Sequence, residues 1–465
     1  MKRVLILKWF LVLFCALGFA MVCLGCGSGG GGGDDDTDDD NGDDDNLPPG
    51  CTDEDKDGYS PDGGDCGPID CDDNDPNVHP KADEICDGKD DNCDGKMESE
   101  CWQIFSVDNE GKSGRYSSIW FDQDDNPAVA YIDSDAKAMK LAHFDGSDWN
   151  VEVVDSEYSP AYPSLKIGPD GTYYIAYTRK EGVPFTIELV YLAYGSPKGW
   201  TKERVKGLLI NLSKEFPSLT LTPSGEPVVF FFDSAMIGEH GLVAAKKSGG
   251  AWAYYQVDAE SSAGYYDTGA RTYAATSADG RVGVAYQDED YEVDPDGNYI
   301  YYYTLKYAET ADFTTWTVED VHSFGEPSAV TGGWSAMAYL PSTNQPVISF
   351  LYGSGAPTDP AMALKDSGVW NTYSLELDFG VGEWPALAAV GSHALFAYLN
   401  INDVDLDLCD FDMTTLTGSC DAIDSEGDVG KWSNIALNST GDPAISYYDL
   451  AATGLKVAWY RRFSK

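Results

Sequence analysis

Gly454-Leu455-Lys456-Val457-Ala458-Trp459-Tyr460 decides the fold, because it opens a structural unit that the residues after it do not finish. Upstream, a segment of this kind, such as Leu305-Lys306-Tyr307-Ala308, leads into a strand that starts on Trp and reaches Val or Leu five residues on. Those strands run Trp149 to Val154, Trp200 to Val205, Trp252 to Val257, Trp316 to Val321 and Trp370 to Leu375. After Tyr460 no such strand follows. Its counterpart is Trp102-Gln103-Ile104-Phe105-Ser106-Val107-Asp108, which has the same step from Trp to Val. A unit begun at one end of a repeat region and completed from the other is how a radial array of blades closes into a ring.

The remaining repeats agree with that reading. Each unit opens on a bulky anchor followed by small residues: Tyr116-Ser117-Ser118, Tyr162-Pro163-Ser164, Phe216-Pro217-Ser218, Trp334-Ser335-Ala336, Trp384-Pro385-Ala386 and Trp432-Ser433-Asn434, with Arg271-Thr272-Tyr273 the weakest copy. Turn signals such as Pro169-Asp170-Gly171 and Pro223-Ser224-Gly225 follow, as tight hairpins require. The second strand then ends on an aromatic with a polar residue close by, as in Tyr131-Ile132-Asp133 and Tyr447-Tyr448-Asp449. Seven anchors with four short strands each predict an all-β, seven-bladed β-propeller over 102–465. Blade six lacks the Trp, and Cys409 and Cys420 are expected to join its third and fourth strands.

The chain has 78 acidic against 30 basic residues and a formal charge of −48. A protein without a basic footprint does not bind a phosphate backbone, so nucleic acid is excluded as a partner. Aromatics at 13% suit pleated, half-buried surfaces. Residues 1–25 read as a secretory signal: Lys2, Arg3 and Lys8, then an apolar run from Trp9 to Leu24. Residues 26–50 are a Gly- and Asp-rich tether with no apolar residue before Leu47, too polar to bury a core and extended by its own charge.

Cys51 to Cys101 forms a separate module. Six cysteines (51, 66, 71, 86, 93 and 101) in an exported segment imply three disulfides, among 15 possible pairings. Asp53, Asp55 and Asp57 before Gly58, and Asp90, Asn92 and Asp94 before Gly95, place oxygens at alternate positions of a loop, the arrangement that converges on a hard cation. Gly64 and Cys101 stand where an EF-hand would carry its bidentate Glu, so no full EF-hand is present.

Cys23-Leu24-Gly25-Cys26 resembles the bacterial lipobox, which implies lipidation of Cys26 and a place in the cell envelope, at the outer membrane or cell surface, anchored by lipid alone. Asp57-Gly58-Tyr59, Cys71-Asp72-Asp73-Asn74-Asp75 and Cys86 through Gly95 resemble the metal-binding repeat of bacterial surface proteins named for a copper-binding protein of methanotrophs. Carboxylate donors favour calcium over copper, since copper prefers His, Met or thiolate. The repeat region resembles seven-bladed propellers of the sialidase-like and WD40/YVTN-like type, although no Trp-Asp signature ends its strands.

Two readings of function follow, with an inert structural role in the envelope as a third. The first is a monomeric binding protein for an extracellular carbohydrate or protein. Asp133, Arg179, Asp233, Asp288, Asn400 and Asp449 stand at matched second-strand ends and would offer a ring of ligand contacts, or simply cap the adjacent turns. The second is a glycan-cleaving enzyme of sialidase-like architecture, using Arg115, Arg179 and Arg271 with Glu215 or Glu383. No Asp-box turn accompanies them, and the four propeller histidines (143, 240, 322 and 393) lie on different blades without a partnering motif, so no catalytic residue is assigned. Asp294, Asp296 and Asn298 in the long fourth blade would hold a cation or close a hairpin tip.

Overall fold

The computed structural model describes residues 47–83, 85–86, 89–94, 101–181, 187–210, 216–233, 241–259, 270–323, 330–353, 359–374 and 382–461. Residues 1–25, read above as a secretory signal, Cys26 and most of residues 27–50 lie outside this set, as do Glu215, His240 and Gly95.

Seven four-stranded antiparallel sheets make up the fold. In blade one Ser113–Phe121 pairs with Pro127–Asp133, which pairs with Ala138–Phe144, which pairs with Trp149–Asp155. The other blades repeat this order. In the last blade Lys431–Leu437, Pro443–Asp449 and Gly454–Tyr460 are followed by Trp102–Asp108, with Trp102 opposite Tyr460 and Phe105 opposite Val457.

Packing explains why a ring forms. The apolar residues gather into seven principal clusters, and each straddles two neighbouring blades rather than filling one. One joins Ala130 and Leu141 of blade one to Leu165, Ile175 and Tyr177 of blade two. Another joins Ile119, Val129 and Tyr131 to Leu455, Val457 and Trp459, linking the first blade to the last. A sheet hidden on both faces reads as continuous hydrophobic sequence, and Pro227–Asp233 and Pro443–Asp449 are buried at every position. Burial of each large side chain contributes roughly 1.5–3 kcal/mol, and none of these faces can be buried without a neighbour.

The innermost strands hold one another by side chains. Ser117, Thr272 and Ser433 donate to the carbonyls of Trp432, Phe216 and Trp384, the anchors of the preceding blades, at 2.6–3.0 Å. The Leu165 and Leu219 amides donate to Ser118 and Ser164, and the Ile119 amide to Asn434, each at 3.0 Å. The small polar residues after Tyr116, Tyr162, Arg271 and Trp432 therefore serve as stitches between blades.

In the N-terminal module the disulfides pair Cys51 with Cys66, Cys71 with Cys93 and Cys86 with Cys101. Cys86 and Cys101 pack on Trp102 and Tyr460, and the Arg461 amide donates to the Cys101 carbonyl at 3.0 Å. The module thus abuts the strands that complete the last blade. Cys409 and Cys420 sit opposite each other in the third and fourth strands of blade six and are joined.

Candidate functional site

The propeller axis ends in an aromatic mouth built by the anchors. Ring centroids run Tyr116 to Tyr162 at 4.7 Å, Tyr162 to Phe216 at 4.1 Å, and Phe216 to Trp334 at 5.6 Å. The circuit continues from Trp334 to Trp384 at 6.1 Å and to Trp432 at 5.5 Å, and returns to Tyr116 at 5.1 Å. The seventh anchor, Arg271, lays its guanidinium over Trp334 at 4.6 Å. These side chains line a cavity of about 150 Å³ with Ser118, Ser164, Ser218, Tyr273 and Asn434 beneath them.

The backbone is strained where the anchors sit. Tyr116, Tyr162, Arg271, Trp384 and Trp432 have φ between 51° and 54°, and the pairing register slips at these anchors. Bulky residues in the left-handed region cost on the order of 1–3 kcal/mol each and persist where the surroundings over-determine them, most often at ligand sites. A bulge also re-aims the side chain that carries it, and here the side chains converge on the axis.

Of the second-strand residues read as a ligand ring, Asp133, Arg179, Asp233, Asp288 and Asp449 lie in latches between blades, and Asn400 bonds within its own blade. Lys140 bridges Asp133 at 2.8 Å and Asp108 at 3.0 Å, while the Tyr131 hydroxyl donates to Asp108 at 2.7 Å. Blade four repeats this with Lys306 to Asp288 at 2.9 Å and to Asp258 at 3.2 Å, and Tyr286 on Asp258 at 2.6 Å. Blade seven repeats it with Lys456, Asp449, Asp424 and Tyr447. Arg179 is held by Asp155 at 2.6 Å, Asp233 by Lys206, and Asn400 donates to Asp407 at 2.9 Å. Asp133, Arg179, Asp233 and Asp449 are 4–5% exposed. Their polar atoms are engaged at the interfaces and not at the mouth.

The arginines expected to act together are likewise separated. Arg271 lines the pocket; Arg115 lies over Trp432 and Tyr448 at 5.3 and 5.8 Å; Arg179 is locked to Asp155. The Glu383 side chain is not among those described. Asp294 closes a hairpin tip: its carboxylate accepts from the Asp296 and Asn298 amides and from the Asn298 side chain at 2.8–2.9 Å.

That hairpin, Val282–Val293 paired with Tyr299–Thr310, is an arm of twelve-residue strands beside the mouth. Tyr291, Tyr299 and Tyr301 cluster on one face with centroids 5.0–6.5 Å apart, and Tyr299 is 59% exposed. Burial holds the Arg271 guanidinium below its usual range, while Tyr303 and Glu289 on the arm act in the opposite sense, which puts the base of the arm at the mouth.

A second site lies in the disulfide module. Asp55, Asp57 and Asp70 bring carboxylate oxygens within 4.8 Å of one another, and Asp53, Asp55 and Asp73 form an adjoining group. Asp70 is 2% exposed, and one buried oxygen on each of Asp55, Asp57 and Asp70 has no hydrogen-bond partner. Burial, and then like charge, holds the Asp55 and Asp70 carboxyls above their usual range. Buried, unpartnered carboxylate oxygens aimed together fit a hard divalent cation. Asp53 spends its oxygens on the Lys56 and Gly58 amides, so it shapes the loop. In the second loop Asp90 and Asn92 both accept from the Asp94 amide at 3.0 Å. Asp70 was missed in sequence because it lies outside either loop. It arrives through the short pairing of Ser60 with Ile69, where the Asp70 amide donates to the Ser60 carbonyl at 3.0 Å.

Residues 70–98 match the family model described as "Putative metal-binding motif" (Cu-binding_MopE). No curated protein matches the chain. Among solved structures, the polysaccharide lyase Uly1 is similar at 9% identity over 77% of this chain and 91% of that one, with a TM-score of 0.51. A polysaccharide lyase of the ulvanlyase family PL25 aligns at 11% identity over 76% and 93%, with a TM-score of 0.50. The Hadza microbial sialidase Hz136 aligns at 11% identity over 77% and 68%, with a TM-score of 0.44. At these identities the likeness is one of fold. The protein is a seven-bladed β-propeller preceded by a disulfide-rich region carrying a MopE-like metal-binding motif.

Proposed function

We propose that the protein is an exported, lipid-anchored envelope protein whose propeller binds an extracellular carbohydrate through its aromatic mouth, with the disulfide module as a calcium-stabilised spacer. The observation that carries the binding reading is the closed circuit of six aromatic anchors with Arg271 around one cavity, most of them held in a strained backbone. Flat aromatic faces beside a few fixed polar groups suit the mixed apolar and hydroxylated surface of a sugar ring. The exposed tyrosines of the blade-four arm extend this surface outward, so a chain of sugars would gain contacts that a single sugar lacks. Calcium is favoured at Asp55, Asp57 and Asp70 because every donor there is a carboxylate oxygen. The lipid anchor rests on Gly25-Cys26 followed directly by an acidic tether.

A glycan-array screen of the exported protein tests this reading. Saturable binding is expected, and Trp384→Ala or Trp432→Ala should weaken it roughly tenfold or more. No bound glycan, or equal binding by both variants, ends the proposal. Cleavage is the second reading, favoured by the glycan-active neighbours and by Glu289 near Arg271. Hydrolysis by paired carboxylates requires two of them at the reacting bond, yet the described residues lining the mouth include none. Turnover of an array-positive glycan would revive it.

A further inference from the structure

The axial channel continues below the mouth into a second cavity of about 300 Å³, walled by the inner strands of all seven blades. Lys166 lines both cavities. Counted four residues after each anchor, the corresponding positions are Trp120, Lys166, Thr220, Ala275, Ala338, Ala388 and Ala436, so one long cation stands in a tier of mostly small side chains. Its ammonium lies 3.8 Å from the centroid of the Trp120 ring, and no carboxylate pairs with it among the described residues. The contrast with the rest of the molecule is sharp. A chain with 78 acidic residues lines its axial channel, among the described residues, with none of them, and the two charges there are the cations Lys166 and Arg271. The hydroxyls of Ser218 and Ser335 in the same wall are buried without a hydrogen-bond partner.

We propose that Lys166 is the centre of an anion-binding site inside the channel, which takes a carboxylate or sulfate, either free in solution or carried by a sugar acid. An ammonium with no carboxylate partner among the described residues, set in a walled channel, attracts an anion more strongly than at an open surface because water screens it less there. The acid-free wall removes the competitor that would otherwise neutralise the lysine, so the local charge favours an anion even though the net negative charge of the chain opposes it at long range, where salt screens it. Burial holds the empty site's ammonium down to about 7, so an anion would raise it again and binding should strengthen as pH falls. The other titratable groups lining the channel do not oppose this. Arg271 stays charged, and burial holds the Tyr162, Tyr273 and Tyr339 hydroxyls upward, so they remain neutral donors. The site does not depend on the mouth being a glycan site.

Calorimetric titration of the full chain with sulfate, glucuronate and glucose, at constant ionic strength and at pH 6 and pH 9, tests it. Sulfate or glucuronate should bind the parent at pH 6 and at least tenfold more weakly at pH 9. Lys166→Met should lose that binding at least tenfold at pH 6, and Lys166→Arg should retain it at both pH values. Glucuronate at least tenfold tighter than sulfate would identify a sugar acid; equal affinity would identify the free anion. The proposal is overturned if the parent binds neither anion at pH 6, if Lys166→Met binds as the parent does, or if parent affinity is unchanged at pH 9. The pH comparison and the Arg variant decide the matter even if the Met variant does not fold. Glucose binding that survives in Lys166→Met would leave the mouth reading standing on its own.

Discussion

Burial makes charge costly at Lys166 and at the Asp55–Asp70 pair, and the two places titrate in opposite senses. Lys166 falls from 10.5 in the unfolded chain to about 7 when folded. Between those values the unfolded chain binds the extra proton, so stability rises with pH across that window. Lys166→Met should be more stable than the parent by on the order of 1–3 kcal/mol at pH 6, with the gap shrinking from pH 7 to 10.5 in urea titrations. A constant gap would mean the amine is not desolvated. Asp55 and Asp70 are raised instead. Without a metal, their contribution is fully present below the ordinary carboxylate range and is lost as pH rises through their folded values. Added calcium should reverse that loss at neutral pH. Asp70→Asn should therefore stabilise the metal-free module at pH 7 yet cut the melting gain from calcium severalfold. An unchanged calcium gain would remove Asp70 from the site.

The latch between blades shows what an element demands of its neighbours. Where the preceding blade ends on Asp108, Asp258 or Asp424, the next blade supplies a Tyr and a Lys to meet it. Where it ends on Lys206, the facing positions are Phe231 and Val243, and where it ends on His322, Phe350 packs against the imidazole at 5.3 Å. A buried acceptor at the end of one blade is thus met by donors from the next, as a low-dielectric interface requires, and Lys206 is met in turn by Asp233. Breaking one latch with Asp108→Ala should cost about 3 kcal/mol, because Tyr131 and Lys140 lose a buried acceptor. The combined change Asp108→Val, Tyr131→Phe, Lys140→Val should cost about 1 kcal/mol, measured by equilibrium denaturation. A triple variant worse than the single would refute the latch as drawn. The latches are also why the second-strand residues looked like a ligand ring in sequence: a repeated position is visible, but the side to which it turns is not.

At the scale of the molecule, the shared clusters leave no blade with a core of its own, so the propeller should melt in one cooperative step. Scanning calorimetry of the full chain should show EDTA and calcium moving a transition of the disulfide module while the propeller transition stays within a few degrees. A propeller transition that follows the metal would mean the two are energetically one body. The blade count, the strand order, the Cys409–Cys420 bridge and the acidic loops were legible in sequence, since each follows from local periodicity and spacing. Asp70 beside Asp55, the pairing of six cysteines, the convergence of six anchors on one mouth and the lone Lys166 in an acid-free channel were not. Sequence by itself determined which residues repeat and therefore the fold. Tertiary structure alone decided which repeated side chains face a neighbour, a cavity or water, because a bulge or a closing ring turns side chains through space without altering their order along the chain.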